Sequence, residues 1–440
     1  MSVPVVALIG RPNVGKSALF NRIIGDDEAI VSDEAGTTRD RHFSRAEWNG
    51  RAFWLVDTGG LSDDPNLPMD LEIRRQVATA VEEADLLLFI VDASVGVHPS
   101  DARIAEMIRA TGKPWLLVAN KVDDPNNADF YEFYRLGAGD PFPVSAQNGK
   151  NSGDLLDAMV QLLPESTPED EESLRIAVVG RPNVGKSSIV NRLLGEERLV
   201  VSHISGTTRD AIDTPMVYHG RKLIFVDTAG LRRQTKIDDG VEFYSSLRTR
   251  RAIERANICV LVIDATEREF HHQDLKIANM AWDAGRGLIV IVNKWDLADP
   301  EEKETHKFEK KAHEKAPFLK HVPFLFTSAV TGQRVSKLLD VIQHVDEEGL
   351  KRISTSQVNE RLSELLARRQ PSQAAGREVK LNYATQVSVA PPTIAVFGNH
   401  PDLVEEHYIR FLHNGFRESW QFSGQPLRIL MRRKSGGNAA

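Results

Sequence analysis

The 440 residues exceed what one hydrophobic core organises and suggest roughly three domains. With 41% hydrophobic and 27% charged residues the composition is that of a soluble globular chain, and no apolar run approaches the ~20 residues of a membrane-spanning helix. The net charge of −7 is uneven: residues 349–440 hold 13 Lys/Arg against 7 Asp/Glu, a balance of +6, which leaves −13 on the rest.

That asymmetry points the C-terminal part toward an acidic partner, nucleic acid first, with a basic but solvated surface as the alternative. The N-terminal stretch MSVPVVALIG has no basic segment ahead of its apolar run, so no signal peptide is expected. The single cysteine, Cys259, excludes internal disulfides and fits a reducing cytosol. Its apolar neighbours, Ile258 to Ile263, make it a buried strand position.

In chain order, the strand Val5–Ile9 runs directly into Gly10-Arg11-Pro12-Asn13-Val14-Gly15-Lys16-Ser17. G-x-x-x-x-G-K-[ST] after a strand and opening a helix is the P-loop. Its glycines let backbone amides curl around phosphate oxygens, and the helix N-terminus favours the anion. Lys16 is expected on the β- and γ-phosphates and the Ser17 hydroxyl on Mg2+. A loop with Ser32 and Gly36-Thr37-Thr38-Arg39-Asp40 follows. Thr38, or its neighbour Thr37, can reach both Mg2+ and γ-phosphate from it, so that triphosphate orders the loop and hydrolysis releases it. Asp57-Thr58-Gly59-Gly60 comes next: Asp57 is expected to hold the ion through water, and Gly60 to offer an N–H to the γ-phosphate.

The runs Leu86–Val91 and Trp115–Ala119 read as strands, and the second leads into Asn120-Lys121-Val122-Asp123. In this N-K-x-D pattern the Asp123 carboxylate can accept from N1–H and the exocyclic amino group of guanine. Adenine lacks that amino group and presents an acceptor at N1, a mismatch costing about 1–3 kcal/mol or more. Asn120 can bond the base edge and brace the P-loop, the Lys121 stem can cover the ring, and Ala146 of Ser145-Ala146 can offer its amide to the guanine oxygen.

After the Pro-, Ser- and acid-rich linker of residues 164–173, the pattern begins again. GRPNVGKS recurs letter for letter at Gly180–Ser187, an offset of 170, with Asn183, Gly185, Lys186 and Ser187 in the same places. Ser202 and Gly206-Thr207-Thr208-Arg209-Asp210 keep that offset, as does Asp227-Thr228-Ala229-Gly230. Asn293-Lys294-Trp295-Asp296 and Ser328-Ala329 drift slightly beyond it, as loops do in duplicated domains. Lys186, Thr208, Gly230, Ser187, Asp227, Asn293, Lys294, Asp296, Ser328 and Ala329 therefore take the same expected roles. The strands Cys259–Ile263 and Leu288–Val292 lack polar alternation, as do their counterparts in the first copy. Such strands separated by helices predict an α/β fold, a mainly parallel sheet covered on both faces with ligands beyond its carboxyl edge. His271-His272 precedes Asp274 as Val97-His98 precedes Asp101, and is read as a loop at a helix start.

A second boundary is expected near Asp346–Arg352, giving domains 1–163, 174–346 and 347–434 with a tail at 435–440. In the last part, Val358–Arg369 and Leu403–Asn414 read as helices, Thr393–Phe397 and Pro426–Met431 as strands, and the chain from Met431 onward as fraying. Arg417, Arg428, Arg432, Arg433 and Lys434 are candidates for phosphate contacts. Trp420 and Phe422 are weighed as core against base stacking, with core favoured by their period-2 spacing.

Tandem GRPNVGKS domains followed by a basic C-terminal domain resemble the bacterial Der (EngA) GTPases over essentially the whole chain. The resemblance implies two Ras-like P-loop GTPase domains, a C-terminal α+β KH-like domain, and a role in assembling the large ribosomal subunit on its rRNA. It implies K+-activated, slow hydrolysis too, because apolar Leu61 and Leu231 stand where many small GTPases carry a water-orienting glutamine. Asn13 and Asn183 would then help hold K+. A KH-like domain without G-x-x-G, as here, argues against sequence-specific single-strand reading. The copies differ after D-x-x-G: Ser62-Asp63-Asp64 in the first, Arg232-Arg233-Gln234-Thr235-Lys236 in the second, with Arg248, Arg250 and Arg251 further on. That basic region is either a nucleotide-dependent contact to RNA or another domain, or a solvated face. A GTP-dependent scaffold with little turnover is the alternative function. A tRNA-modification GTPase would need a folate-type domain and a C-terminal cysteine, and the chain has neither. A monomeric cytoplasmic protein is expected.

Overall fold

The structure is a computed structural model, and it describes residues 3–25, 30–31, 43–58, 77–78, 80, 84–123, 128–164, 173–195, 213–228, 242–267, 270–298, 305–373 and 377–433. The chain divides into two compact units, residues 1–169 with 237–247 and residues 170–236 with 248–440.

In the first unit β1 (Val5–Ile9) leads through the P-loop into α1 (Lys16–Gly25). The strands β2 (Ile30–Val31), β3 (Phe43–Trp48), β4 (Arg51–Asp57) and β5 (Leu86–Asp92) follow, then α2 (Pro99–Thr111), β6 (Trp115–Asn120), β7 (Phe142–Val144) and α3 (Ser152–Leu162). The sheet order is β2-β3-β4-β1-β5-β6-β7. β4 to β7 run parallel with β1, and β3 pairs antiparallel with β2 and β4. Alternate residues of β1 feed two separate cores: Val5, Ala7 and Ile9 one, Val6 and Leu8 the other. A strand buried on both faces has no position for a polar side chain, which is why β5 is LLLFIV before its terminal aspartate.

The second unit repeats the plan with β8 (Leu174–Val179), α4 (Lys186–Leu194), β9 (Thr214–Tyr218), β10 (Arg221–Val226) and the part of α5 (Glu242–Arg255) from residue 248 onward. It continues with β11 (Ile258–Asp264), α6 (His272–Asp283), β12 (Gly287–Asn293), α7 (Thr305–Lys315), β13 (Phe324–Phe326) and α8 (Lys337–Leu350). Its sheet order is β13-β12-β11-β8-β10-β9, parallel except for β9. Cys259 is fully buried in β11, where burial pushes its thiol up to about 12.

After α9 (Thr355–Arg368) come β14 (Leu381–Ser388), β15 (Thr393–Gly398), α10 (Glu406–Trp420) and β16 (Arg428–Arg433), forming a small α+β layer with sheet order β14-β15-β16. Four sequence expectations change here. The helix expected over Leu403–Asn414 starts at Glu406 and continues to Trp420. A Cβ at Gly415 would lie 2.3 Å from Leu365 Cδ2, so this glycine inside the helix marks a close helix crossing. The strand β14 was not anticipated, because irregular pairing at both its ends breaks the period-2 pattern. Met431–Arg433, expected to fray, complete β16. Arg417, expected at phosphates, is buried and donates to the carbonyls of Gln421 (2.7 Å) and Gln425 (2.5 Å). Phe422 is buried in this core and Trp420 packs against it, as the spacing favours.

This layer and the second nucleotide-binding fold belong to one compact unit. Leu288 N–H donates to Gly424 O (2.7 Å), Gly424 N–H to His321 O (2.6 Å), and Gln425 Nε2 to Val345 O (2.8 Å). Arg417 lies over the Trp282 ring at 5.5 Å. No helix among the described residues is long and apolar enough to cross a membrane.

Candidate nucleotide-binding sites

Each P-loop turns where β1 or β8 ends. A Cβ at Gly10 would lie 2.4 Å from Ile90 O, and at Gly180 2.3 Å from Val262 O, so the loop passes against the neighbouring strand with no room for a side chain. Asn13 (φ 66°) and Asn183 (φ 62°) take the left-handed conformation that asparagine tolerates better than most residues. The loop curls back to its own lysine: Lys16 Nζ donates to Gly10 O and Arg11 O, both at 2.8 Å. Lys186 does the same with Gly180 O (2.8 Å) and Arg181 O (2.7 Å). Burial lowers the Lys186 ammonium to about 8 although Asp274 opposes the shift, so an anionic phosphate here would find a cation short of counter-charge.

Ser17 Oγ donates to Asp57 Oδ2 at 2.6 Å, bringing together two of the three residues expected at the metal in the first copy. Asp227 lies just beyond β10 with φ 55°, its N–H donating to Asp213 Oδ1 (2.9 Å). Thr38, Gly60, Thr208 and Gly230 lie outside the described residues, as do Thr37, Arg39, Leu61, Thr207, Arg209 and Leu231.

The base-recognition motifs join this assembly through their asparagines. Asn120 Nδ2 donates to Val14 O (2.9 Å), and its Oδ1 accepts from Ala146 N–H (3.0 Å). Asn293 repeats both bonds, to Val184 O (2.9 Å) and from Ala329 N–H (3.1 Å). One buried side chain thus ties the P-loop to the loop expected at the base. The Ala146 and Ala329 amides, expected on the guanine oxygen, are directed to these asparagines here. Asp123 accepts from Ser145 Oγ and Asn148 Nδ2, both at 2.8 Å, and these two bonds hold its carboxyl below the ordinary value.

Sequence reasoning missed two aspartates and two ion pairs. Asp92, at the end of β5, accepts from Lys121 Nζ (2.5 Å), and Asp264 from Lys294 Nζ (2.6 Å). Burial alone would raise Asp92, but Lys121 and Ser94 bind its charged form and hold it low. Lys121 Nζ also reaches Asn13 O (3.2 Å), so the side chain spans from the end of β6 to the P-loop. Arg11 Nε donates to Asp101 (2.7 Å) and Arg181 Nε to Asp274 (3.0 Å), tying each P-loop to the first turn of α2 or α6. The repeat itself carried the signal, since all eight residues recur. His98 and His271 cap those two helices, each Nδ1 accepting a backbone N–H, which agrees with the helix-start reading.

A strand–P-loop–helix with a base loop braced by N-K-x-D, built twice, defines a tandem P-loop GTPase. Known proteins agree. A family described as "50S ribosome-binding GTPase" matches residues 5–121 and again 175–294, and one described as the KH-domain-like C-terminal part of EngA bacterial GTPase enzymes matches residues 352–432. The "GTPase Der" of Gemmatimonas aurantiaca is 69% identical over 436 residues, covering 99% of this chain and 100% of that protein. That of Caldanaerobacter subterraneus subsp. tengcongensis is 49% identical over 437 residues, covering 99% of each. Among solved structures, Era in complex with MgGDPNP and a piece of 16S ribosomal RNA is 24% identical, covers 60% of this chain and 92% of that one, and has a TM-score of 0.30. The chain belongs to the bacterial Der (EngA) family of GTPases.

Proposed function

We propose that this chain is a Mg2+-dependent, K+-stimulated GTPase that acts in the cytoplasm, as a monomer, on the large ribosomal subunit and its rRNA during assembly. The observation that carries the GTPase part is the duplicated brace, Asn120 or Asn293, joining P-loop to base loop in a chain of this family. The ribosomal part rests on the family description as ribosome-binding and on the +6 balance of residues 349–440.

GTP or GDP would lie along Gly10, Asn13, Gly15 and Lys16 with its base at Asn120, Lys121, Asp123, Ser145 and Ala146. In the second copy it would lie along Gly180, Asn183, Gly185 and Lys186 with Asn293, Lys294, Asp296, Ser328 and Ala329. Ser17 and Asp57, hard oxygen donors hydrogen-bonded to each other, fit Mg2+, and Ser187 and Asp227 would serve the second copy. Bound there, the ion neutralises charge on the β- and γ-phosphates. Lys16 and Lys186 orient the phosphates from the other side, with Thr38, Gly60, Thr208 and Gly230 closing each site. Asn13 and Asn183 would help hold K+, which would supply the positive charge that an arginine otherwise brings to the transition state. Domains at 1–163, 174–346 and 347–434, joined by a linker at 164–173 and ending in a tail at 435–440, fit this reading.

Phosphate release by the purified chain with Mg2+, in K+ and in Na+, with and without large ribosomal subunits, tests it. Turnover is expected to be faster in K+ and to respond to the subunits. Equal rates in Na+ and K+ would remove the K+ role, and no turnover in any condition would leave a GTP-dependent scaffold.

A further inference from the structure

Arg22 projects from α1, the helix whose first residues, Lys16 and Ser17, are the phosphate and metal contacts of the reading above. Its guanidinium reaches the loop after β7. Nε donates to Ala146 O (3.1 Å) and Nη2 to Gln147 O (2.6 Å), two consecutive carbonyls of the loop whose Ala146 amide is bonded to Asn120. The same loop turns at Gly149 (φ 72°), where an added Cβ would lie 3.5 Å from Arg22 Cζ. In the second copy Arg192, 170 residues after Arg22, approaches the corresponding loop at the matching glycine: a Cβ at Gly332 (φ 80°) would lie 2.4 Å from its Nη2. An arginine fork on successive carbonyls fixes direction as well as distance, which a single flexible ammonium does not.

We propose that Arg22 and Arg192 are positioning residues for guanine recognition: each clamps its base loop to the phosphate-binding helix, so that phosphate grip and base grip are set by one rigid element. The inference rests on the guanine-site reading above. It predicts that losing the clamp accelerates nucleotide release while leaving capture nearly unchanged, because encounter is governed by the phosphates and retention by the ordered base loop.

The test uses the full chain with one base site redirected. Asp296→Asn leaves the first site for guanine, Asp123→Asn the second. Each parent is loaded with a fluorescent GDP and chased with unlabelled GDP. In the first-site parent, Arg22→Ala is expected to speed release about tenfold or more, the loss of charged hydrogen bonds. Arg22→Lys should fall between, since one donor is restored, with association rates unchanged. In the second-site parent, Arg192→Ala should speed release and Arg22→Ala should not. Release from the first site at the parental rate in Arg22→Ala would overturn the proposal. So would an equal acceleration at both sites by Arg22→Ala, which marks general loosening. If Arg22→Ala does not fold, Arg22→Lys alone decides, by releasing GDP faster than its parent or not. A parent that fails to prefer GDP over ADP would instead defeat the guanine reading itself.

Discussion

A Cβ at Gly15 would lie 2.2 Å from Asn120 Nδ2, and at Gly185 the same distance from Asn293 Nδ2, with φ of 95° and 97° at the two glycines. Both the left-handed backbone and the approach of the asparagine exclude a side chain. Gly15→Ala should therefore cost more than about 1 kcal/mol of stability and also push Asn120 off Val14 O. Urea unfolding and GDP titration of the variant check this, and a native urea midpoint with native GDP affinity would contradict it. The motif letters made these glycines legible. What they did not reveal is that the partner in contact is the asparagine of the base motif, more than a hundred residues away.

At the level of elements, α2 and α6 begin alike but are held differently. Asp101 is completely buried, caps α2 through the His98 N–H (3.1 Å) and pairs with Arg11. Asp274 pairs with Arg181, but that guanidinium also reaches Glu267, whose aligned residue in the first copy is Val95. Removing one member of a buried pair strands the other charge, which typically costs about 3–5 kcal/mol. Asp101→Ala should approach that figure and Asp274→Ala should cost clearly less, because Glu267 still answers Arg181. Parallel denaturant titrations of the two variants give the comparison, and equal losses would show that Glu267 does not compensate. The aligned His271-His272 and Val97-His98 marked the helix start, while the pairing of each cap with a P-loop arginine came from the fold.

At the scale of the whole molecule, the second nucleotide-binding fold and the C-terminal layer meet around His321, His413, Arg417 and Trp282. Burial, then the Arg417 charge, then His413, Lys320 and His313 drive the His321 imidazole down to about 4. His413 is lowered by burial and by Arg417 as well. Between pH 6.5, the ordinary histidine value, and about 4, the unfolded chain carries a proton at His321 that the folded chain does not. Stability should therefore fall as pH drops through this window and be retained above it. The urea midpoint should drop between pH 7 and pH 5, and His321→Gln should shrink that drop. An unchanged drop in the variant would place the acid sensitivity elsewhere.

The duplication, the P-loops, the choice of guanine and the α/β class were all legible in the amino-acid sequence. Glycine positions, N-K-x-D and unbroken apolar strands have local physical meanings that need no neighbour to interpret. The C-terminal part was legible only in outline. Its strand β14 is irregular, its helix α10 runs through a glycine that packing against Leu365 requires, and its Arg417 looks like a surface cation until Gln421, Gln425 and Trp282 surround it. The tertiary structure alone decided which charges are spent inside the protein: Asp92 on Lys121, Asp101 on Arg11, Arg22 on the base loop. Those partners lie roughly 30 to 125 residues apart, and a one-dimensional pattern carries charge and spacing but not which side chain a fold brings within 3 Å.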